Sequence, residues 1–413
     1  MKLPFPSALA TAVAAALVVV APQVAAQNKA EVIHWWTSGG ESAAIKEIAT
    51  AYTKAGGVWI DSAIALGETA RAQTINRIVG GNPPTAAQFN TSKQYHDIIK
   101  EGLLNNVDAV AAKEGWESFL PAPIISSIKV NGHFYAVPVN IHMPAWFWYS
   151  KAAFQKAGIA AEPKTPDEFF AALDKLKAAG FVPLAFGGQP WQENLTFQDW
   201  LAQAGGPELY LKFFRDRDAA TVASPAFRKV LTDFRRLRSY VDPGSPGRNW
   251  NDATALVITG KAGVQIMGDW AKGEFLAANQ TVGKEYGCFP GFGPKSPYII
   301  AGDVFVFPRT KDPAQIKSQE LLATVMTLPA TQVAFNNKKG SIPIRTDVDT
   351  SKMDQCAQIG LAIMKDKSRH LANPDMLINP DMSGQISDVI TKYWNTDQTV
   401  DEVIKALQAA IKG

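Results

Sequence analysis

Apolar and polar positions along this chain follow two alternating rhythms. Val32-Ile33-His34 is a short β-prone run, and over 41–55 the apolar positions recur at helical spacing. Trp59-Ile60-Asp61-Ser62-Ala63-Ile64 predicts a second strand, 69–79 a helix, Ala86-Ala87-Gln88-Phe89 a third strand and 92–101 another helix. Gly80-Gly81-Asn82-Pro83-Pro84 marks a turn between them. Strand alternating with helix at this spacing argues for a mostly parallel sheet in an α/β fold.

Further along, 105–131 reads as irregular apart from a short helix at 116–120, and Asn131-Gly132-His133 as a turn. Strands are predicted at 134–141 and 146–149, and a helix at 151–157. Thr165-Pro166-Asp167-Glu168 opens the next helix with a cap, a proline in the first turn and acids behind it. A strand at 183–186 precedes helices running to about residue 240. Residues 252–259 read as a helix and 263–267 as a buried strand ending in Gly268-Asp269-Trp270. Residues 298–307 read as one strand with Asp303 set in it, 313–335 as a helix, 336–343 as a loop and 383–412 as two helical pieces.

The first 26 residues stand apart. Lys2 is their only charge, an apolar run spans 8–20 broken by Thr11, and Val24-Ala25-Ala26 precedes Gln27. That pattern fits a secretory signal with a small-residue cleavage site. Without it the chain runs from Gln27 to Gly413, enough for two domains with full cores. Basic and acidic residues number 41 and 38, so removing Lys2 leaves 40 against 38. With no basic stripe and no charge run, nothing argues for nucleic acid. No second apolar stretch reaches membrane-spanning length. Cys288 and Cys356 are the only cysteines, and export to an oxidising compartment favours their pairing. No Cys/His spacing suggests a metal, and no cofactor fingerprint is present.

Candidate chemistry begins at Trp35-Trp36-Thr37-Ser38-Gly39-Gly40-Glu41. A strand running into a tight turn places its last side chains at the sheet's carboxyl edge, where open α/β sheets bind ligands. Indole faces there suit the C–H face of a pyranose, and Glu41 can accept hydrogen bonds from hydroxyls. Neighbouring strand residues point to opposite faces, so one core does not easily take both indoles. Trp270 repeats the device at the end of a second apolar strand. Asp303, charged inside an apolar run, needs a partner: a hydroxyl, a lysine or a structural hydrogen bond. Lys93 follows the third strand near the edge that carries Trp35.

A signal-like leader, His-Trp-Trp-Thr-Ser-Gly-Gly-Glu at 34–41, Met-Gly-Asp-Trp at 267–270, Gly-Asp-Val-Phe at 302–305 and Lys-Lys-Gly-Ser-Ile-Pro at 338–343 stand in order. Together they resemble the periplasmic solute-binding proteins of carbohydrate ABC transporters, closest to the glucose/mannose-binding branch. The resemblance implies the two-lobed periplasmic-binding-protein (type II) α/β fold, with hinge strands and an interlobe cleft. Residues 27–139 plus 298–345 would form the N-terminal lobe, and 140–297 plus 346–413 the C-terminal lobe. By position, Trp35 and Trp36 would stack on a sugar, Glu41, Lys93, Asp303 and Lys339 would bind its hydroxyls, and Trp270 would close the other side. The resemblance also implies a monomer in the periplasm that hands its ligand unchanged to a membrane permease. The branch usually has an Arg after Asn-Ile-His and a ligand-contacting His near the C-terminus. Here Met143-Pro144 follows His142, and the late stretch reads Asn373-Pro374-Asp375 with His370 before it, so neither histidine receives a role. The ligand stays open among a monosaccharide such as glucose, a disaccharide and a polyol. A secreted glycosidase using Glu41 and Asp303, or a polysaccharide-adhesion module, are the competing classes.

Overall fold

The computed structural model describes Met1 and residues 28–412. The predicted export signal, Met1 aside, lies outside the described residues.

The described strands are β1 (Asn28–His34), β2 (Gly57–Ala63), β3 (Ala86–Asn90), β4 (Lys129–Val130), β5 (His133–Phe134), β6 (Ala136–Pro138) and β7 (Trp146–Ser150). They continue with β8 (Val182–Ala185), β9 (Ala262–Met267), β10 (Tyr286–Phe289), β11 (Tyr298–Ile300), β12 (Asp303–Val306) and β13 (His370–Ala372). One five-stranded sheet has the order β2-β1-β3-β12-β6, and a four-stranded sheet has the order β10-β7-β9-β8. Helices cover both, which is the two-lobed α/β architecture.

The first sheet follows the expected logic where helices return the chain. β1 runs parallel to β2, with Asn28 opposite Gly57, and parallel to β3, with Val32 opposite Ala86. β12 enters antiparallel, with Asp303 opposite Asn90. The second sheet departs from the parallel expectation. β7 is antiparallel to both β9 and β10, and only β8 and β9 are parallel.

Side chains on β7 alternate between two cores, as the strand period requires. Trp146 and Trp148 pack in the cluster that holds Trp36, Phe89 and Phe305. Phe147 packs in a second cluster with Phe169, Trp200 and Phe234. The disulfide Cys288–Cys356 ties β10 to the helix Gln355–Lys365.

Three of the expected elements break, and each break has a cause. The run 298–307 is two strands in two sheets, β11 pairing with β13 and β12 joining the large sheet. Gly302 lies between them, so close to the chain at Asn140 that a Cβ would stand 2.5 Å from the Asn140 carbonyl oxygen. The run 134–141 divides into β5 and β6, followed by bridges from Ile141 to Ile342 and from His142 to Ala301. Segments near 141, 301 and 342 thus pass side by side between the two main sheets. The helix expected over 313–335 stops at Thr327, because Pro329 has no N–H with which to continue it. Its successor, Pro329–Lys339, absorbs most of the predicted loop 336–343. Around the expected short helix, found at Trp116–Phe119, the stretch read as irregular contains two more helices, Asp108–Glu114 and Ala122–Ile128.

Candidate functional site

The end of β1 divides the two indoles. Trp36 turns inward and is only 1% exposed, against Phe335 at 5.2 Å and Phe305 at 5.7 Å between ring centroids. Trp35 turns outward and is half-buried, with the Arg71 guanidinium 5.5 Å from its ring centre. The Trp35 backbone is held from β3 and the Trp36 backbone by the last residue of β1 itself. Trp35 N–H donates to Gln88 Oε1 at 3.0 Å, and Trp36 N–H donates to His34 Nδ1 at 3.2 Å. That bond leaves the His34 proton on Nε2, which faces Asp61 Oδ1 at 2.8 Å.

Glu41 is fixed by the start of its helix. Ser38 caps Gly39–Lys54, and its hydroxyl donates to Glu41 Oε2 at 3.2 Å. Ser-x-x-Glu before a helix is a capping signature readable in the sequence. The other Glu41 oxygen pairs with Lys339 Nζ at 3.0 Å, and both side chains are buried. Burial pushes the Glu41 pKa up, Lys339 opposes that, and the nearby Asp303 charge adds to the rise.

Lys339 is the meeting point. Its Nζ lies 5.6 Å from the Trp36 ring centre and 5.5 Å from that of Trp270, within cation–π reach of both. It occupies the last turn of Pro329–Lys339, where Gly340 ends the helix with φ +94°. A Cβ on Gly340 would stand 2.3 Å from the Asp269 carbonyl oxygen, so only glycine lets these chains pass.

Asp303 sits at the first residue of β12, next to the crossing segments. Asn140 Nδ2 donates to its Oδ2 at 2.8 Å, and Gln88 Nε2 to its Oδ1 at 3.0 Å. His142 Nδ1 stands 3.4 Å from Oδ2, close enough for charge attraction but without a hydrogen bond's alignment. Burial alone would raise the Asp303 pKa. The His142 and Lys339 charges and the Asn140 bond outweigh it and hold the carboxylate below its ordinary range. The same His142 ring packs edge-on to Trp270, with centroids 5.2 Å apart. His142, left without a role by sequence, therefore joins Asp303 to Trp270. Its signal was its place after the Asn140 that holds Asp303.

Asp269, beside Trp270, is also missed by sequence reasoning. Its Oδ2 accepts from Met143 N–H at 3.1 Å, while Oδ1 has no partner. Burial pushes its pKa up to about 7 against the pull of His142, the Met143 N–H and Lys339.

Trp36, Glu41, Lys339, Asp303, His142 and Trp270 thus form one connected cluster beside the crossing segments. Lys93 has other contacts. Its Nζ donates to the Leu377 carbonyl at 3.2 Å, and its side chain lines a cavity with His370. The cluster offers carboxylates, an ammonium, an imidazole and indole edges, a set suited to hydroxyl recognition. Among the described residues no group of three or more His, Cys, Asp or Glu is placed to hold a metal, and no helix is long and apolar enough to cross a membrane.

The sequence profile of the family described as bacterial extracellular solute-binding protein matches residues 35–332. A protein of Brucella suis biovar 1 (strain 1330), named a probable sugar-binding periplasmic protein, is 40% identical over 98% of each chain. Among solved structures, the bacterial solute receptor AcbH, described as preferring β-D-galactopyranose, superposes with TM-score 0.77. It is 20% identical, over 93% of this chain and 98% of its own. Maltose-bound MalE3 of T. maritima gives TM-score 0.78 at 18% identity, over 93% and 99%. At these identities the two structures speak for the fold.

Proposed function

The chain belongs to the bacterial extracellular solute-binding protein family, and on that premise we propose that it is the periplasmic sugar-binding component of an ABC importer. The ligand we assign is a monosaccharide such as glucose, held reversibly and released intact to the membrane permease. The observation that carries the reading is the convergence of Trp36 and Trp270 on Lys339, with Glu41 and Asp303 in the same cluster.

In this proposal Trp270 covers one face of the sugar, Trp35 and the Trp36 edge border the other, and Glu41, Asp303, Lys339 and His142 bind its hydroxyls. The moving bodies are 27–139 with 298–345 and 140–297 with 346–413, turning about the crossing segments near 141, 301 and 342. Hinge closure around a ligand is the known behaviour of periplasmic binders. The sugar stabilises the closed arrangement only because it contacts groups from both bodies at once. When the lobes part, Trp270 leaves with the second body and water reaches the Lys339–Glu41 pair, which stays within the first; when sugar enters, its hydroxyls replace that water.

The test is a thermal-shift screen over monosaccharides, disaccharides and polyols, since a ligand that binds the native state alone raises the midpoint. A monosaccharide should give the largest rise and be recovered unchanged. A disaccharide or polyol giving the largest rise would change the ligand class and leave the transport role in place. Turnover of an aryl glycoside would replace binding with catalysis by Glu41 and Asp303.

A further inference from the structure

The pairing of β1 with β2 ends at His34, opposite Ala63, and its pairing with β3 ends at Ile33, opposite Ala87. The N–H groups of Trp35 and Trp36 therefore come after the ladder, yet buried N–H groups must find acceptors. Side chains supply them: Gln88 for Trp35 and, for Trp36, the ring of His34 two residues back. That ring is buried, at 1% exposure. An imidazole Nδ1 stands at the same branch as an asparagine Oδ1, so the contact copies the turn in which Asn or Asp accepts the N–H two residues on.

Nδ1 accepts only while it carries no proton. Asp61 stands opposite Val32 in the register, on the face that His34 shares, and its Oδ1 lies 2.8 Å from His34 Nε2. Trp59 Nε1 donates to the same oxygen at 3.0 Å. Burial lowers the His34 pKa and Asp61 opposes it, and among the described residues no other charge acts on the ring. Burial would raise the Asp61 pKa, but the His34 and Trp59 bonds, with the Lys46 charge, hold it below the ordinary value. On the inner side the His34 and Trp36 rings are 6.1 Å apart between centroids, and Lys339 Nζ lies 5.6 Å from the Trp36 ring centre. A chain of contacts thus runs from the exposed Asp61 through His34 and Trp36 to the ammonium of Lys339.

We propose that His34 is a positioning residue of the sugar site: its Nδ1, kept free of a proton by the Nε2–Asp61 contact, holds the Trp36 peptide and with it the indole beside Lys339. The role rests on the sugar reading of that cluster. Acid that protonates Nδ1 sets one N–H against another, so the bond turns to repulsion and the indole is released.

Three measurements on the mature chain test this. Nitrogen NMR of the histidine rings should show His34 with its proton on Nε2 at neutral pH. Without sugar, the Trp36 amide should exchange slowly in wild type and in His34→Asn, whose Oδ1 still accepts, and about tenfold faster in His34→Leu. Isothermal titration with D-glucose should give wild-type affinity for His34→Asn and about tenfold weaker binding for His34→Leu. As pH falls from ~7.5 to ~4.5, wild-type affinity should drop more steeply than that of His34→Asn. Glu41, Asp269 and Asp303 titrate in both proteins, so the comparison isolates His34. If His34→Leu does not fold, the wild-type ring and His34→Asn carry the test. A proton on Nδ1 at neutral pH would overturn the role, as would equal Trp36 protection in His34→Leu or one pH profile shared by wild type and His34→Asn. Absence of D-glucose binding by wild type would overturn the glucose assignment instead, and the ring and amide measurements would then decide on His34.

Discussion

Substituting Gly40 with alanine tests whether the two lobes move. Gly40 is the second residue of the helix Gly39–Lys54, and its N–H donates to Glu274 Oε1 at 2.8 Å across to the helix Ala271–Ala277. A Cβ at Gly40 would stand 2.5 Å from the Gly273 carbonyl carbon and 2.8 Å from its Cα and its oxygen. Carbons in ordinary contact are about 3.5–4.0 Å apart, so the helices must separate by about 1 Å. All three obstructing atoms are backbone, and Gly273 is itself backed by the Lys338 carbonyl, so no side chain can rotate away. Overpacking of this kind costs about 1–3 kcal/mol. If the contact forms only on closure, the cost falls on the liganded state and weakens sugar binding about 5- to 150-fold. The unliganded protein should melt no lower than wild type, because with the lobes apart the added methyl no longer meets Gly273. Fluorescence titration of the tryptophans gives the affinity, and calorimetry without sugar gives the midpoint. Unchanged sugar affinity together with a lowered midpoint of the free protein would refute the reasoning, since the contact would then belong to one rigid body.

Three further outcomes follow from the same geometry. Lys339→Met strands the buried Glu41 carboxylate and should cost about 3–5 kcal/mol of stability along with sugar binding. Adding Glu41→Gln should restore the melting midpoint but not the affinity. Asp199 is fully buried in the second core region, and burial pushes its pKa from 3.8 up to about 7. The unfolded chain therefore loses this proton at lower pH than the folded one, and the native state is penalised increasingly as pH rises from about 4 to 7. Asp199→Asn should raise stability at pH 8 by on the order of 2–4 kcal/mol, with the gain vanishing near pH 4. A gain independent of pH in a thermal series would contradict that assignment. Replacing Cys288 and Cys356 together by serine opens a crosslink spanning 68 residues of sequence. The loss should be about 4 kcal/mol by chain entropy, read from denaturant melts.

The first half of the large sheet was legible because β1, β2 and β3 alternate with helices, each rhythm uninterrupted by tertiary demands. The breaks were harder to read, because they come from contacts distant in sequence. The division of 298–307 depends on Asn140 lying against Gly302, and local composition there reads as unbroken strand. The antiparallel run of β7 is set by its partners β9 and β10, more than a hundred residues away. At the site, strand alternation correctly separated Trp35 from Trp36 but could not say which faced inward. Asp303 was conspicuous as a charge in an apolar run. His142 and Asp269 were not, since their importance lies in the side chains that surround them: Trp270 and Asp303 for one, the Met143 N–H for the other. Lys93 was placed by sequence at the right sheet edge, yet its ammonium is directed to Leu377 by the helix Pro374–Leu377, which nothing near residue 93 foretells.

The most direct test of the proposed sugar binding at the Trp36–Lys339–Trp270 cluster is a crystal structure of the protein with the sugar that gives the largest thermal shift. The account predicts an intact sugar against Trp270, with hydroxyls within hydrogen-bond distance of Asp303 and of Glu41 or Lys339. Intact sugar bound anywhere else, with the Lys339–Glu41 pair undisturbed, would contradict it.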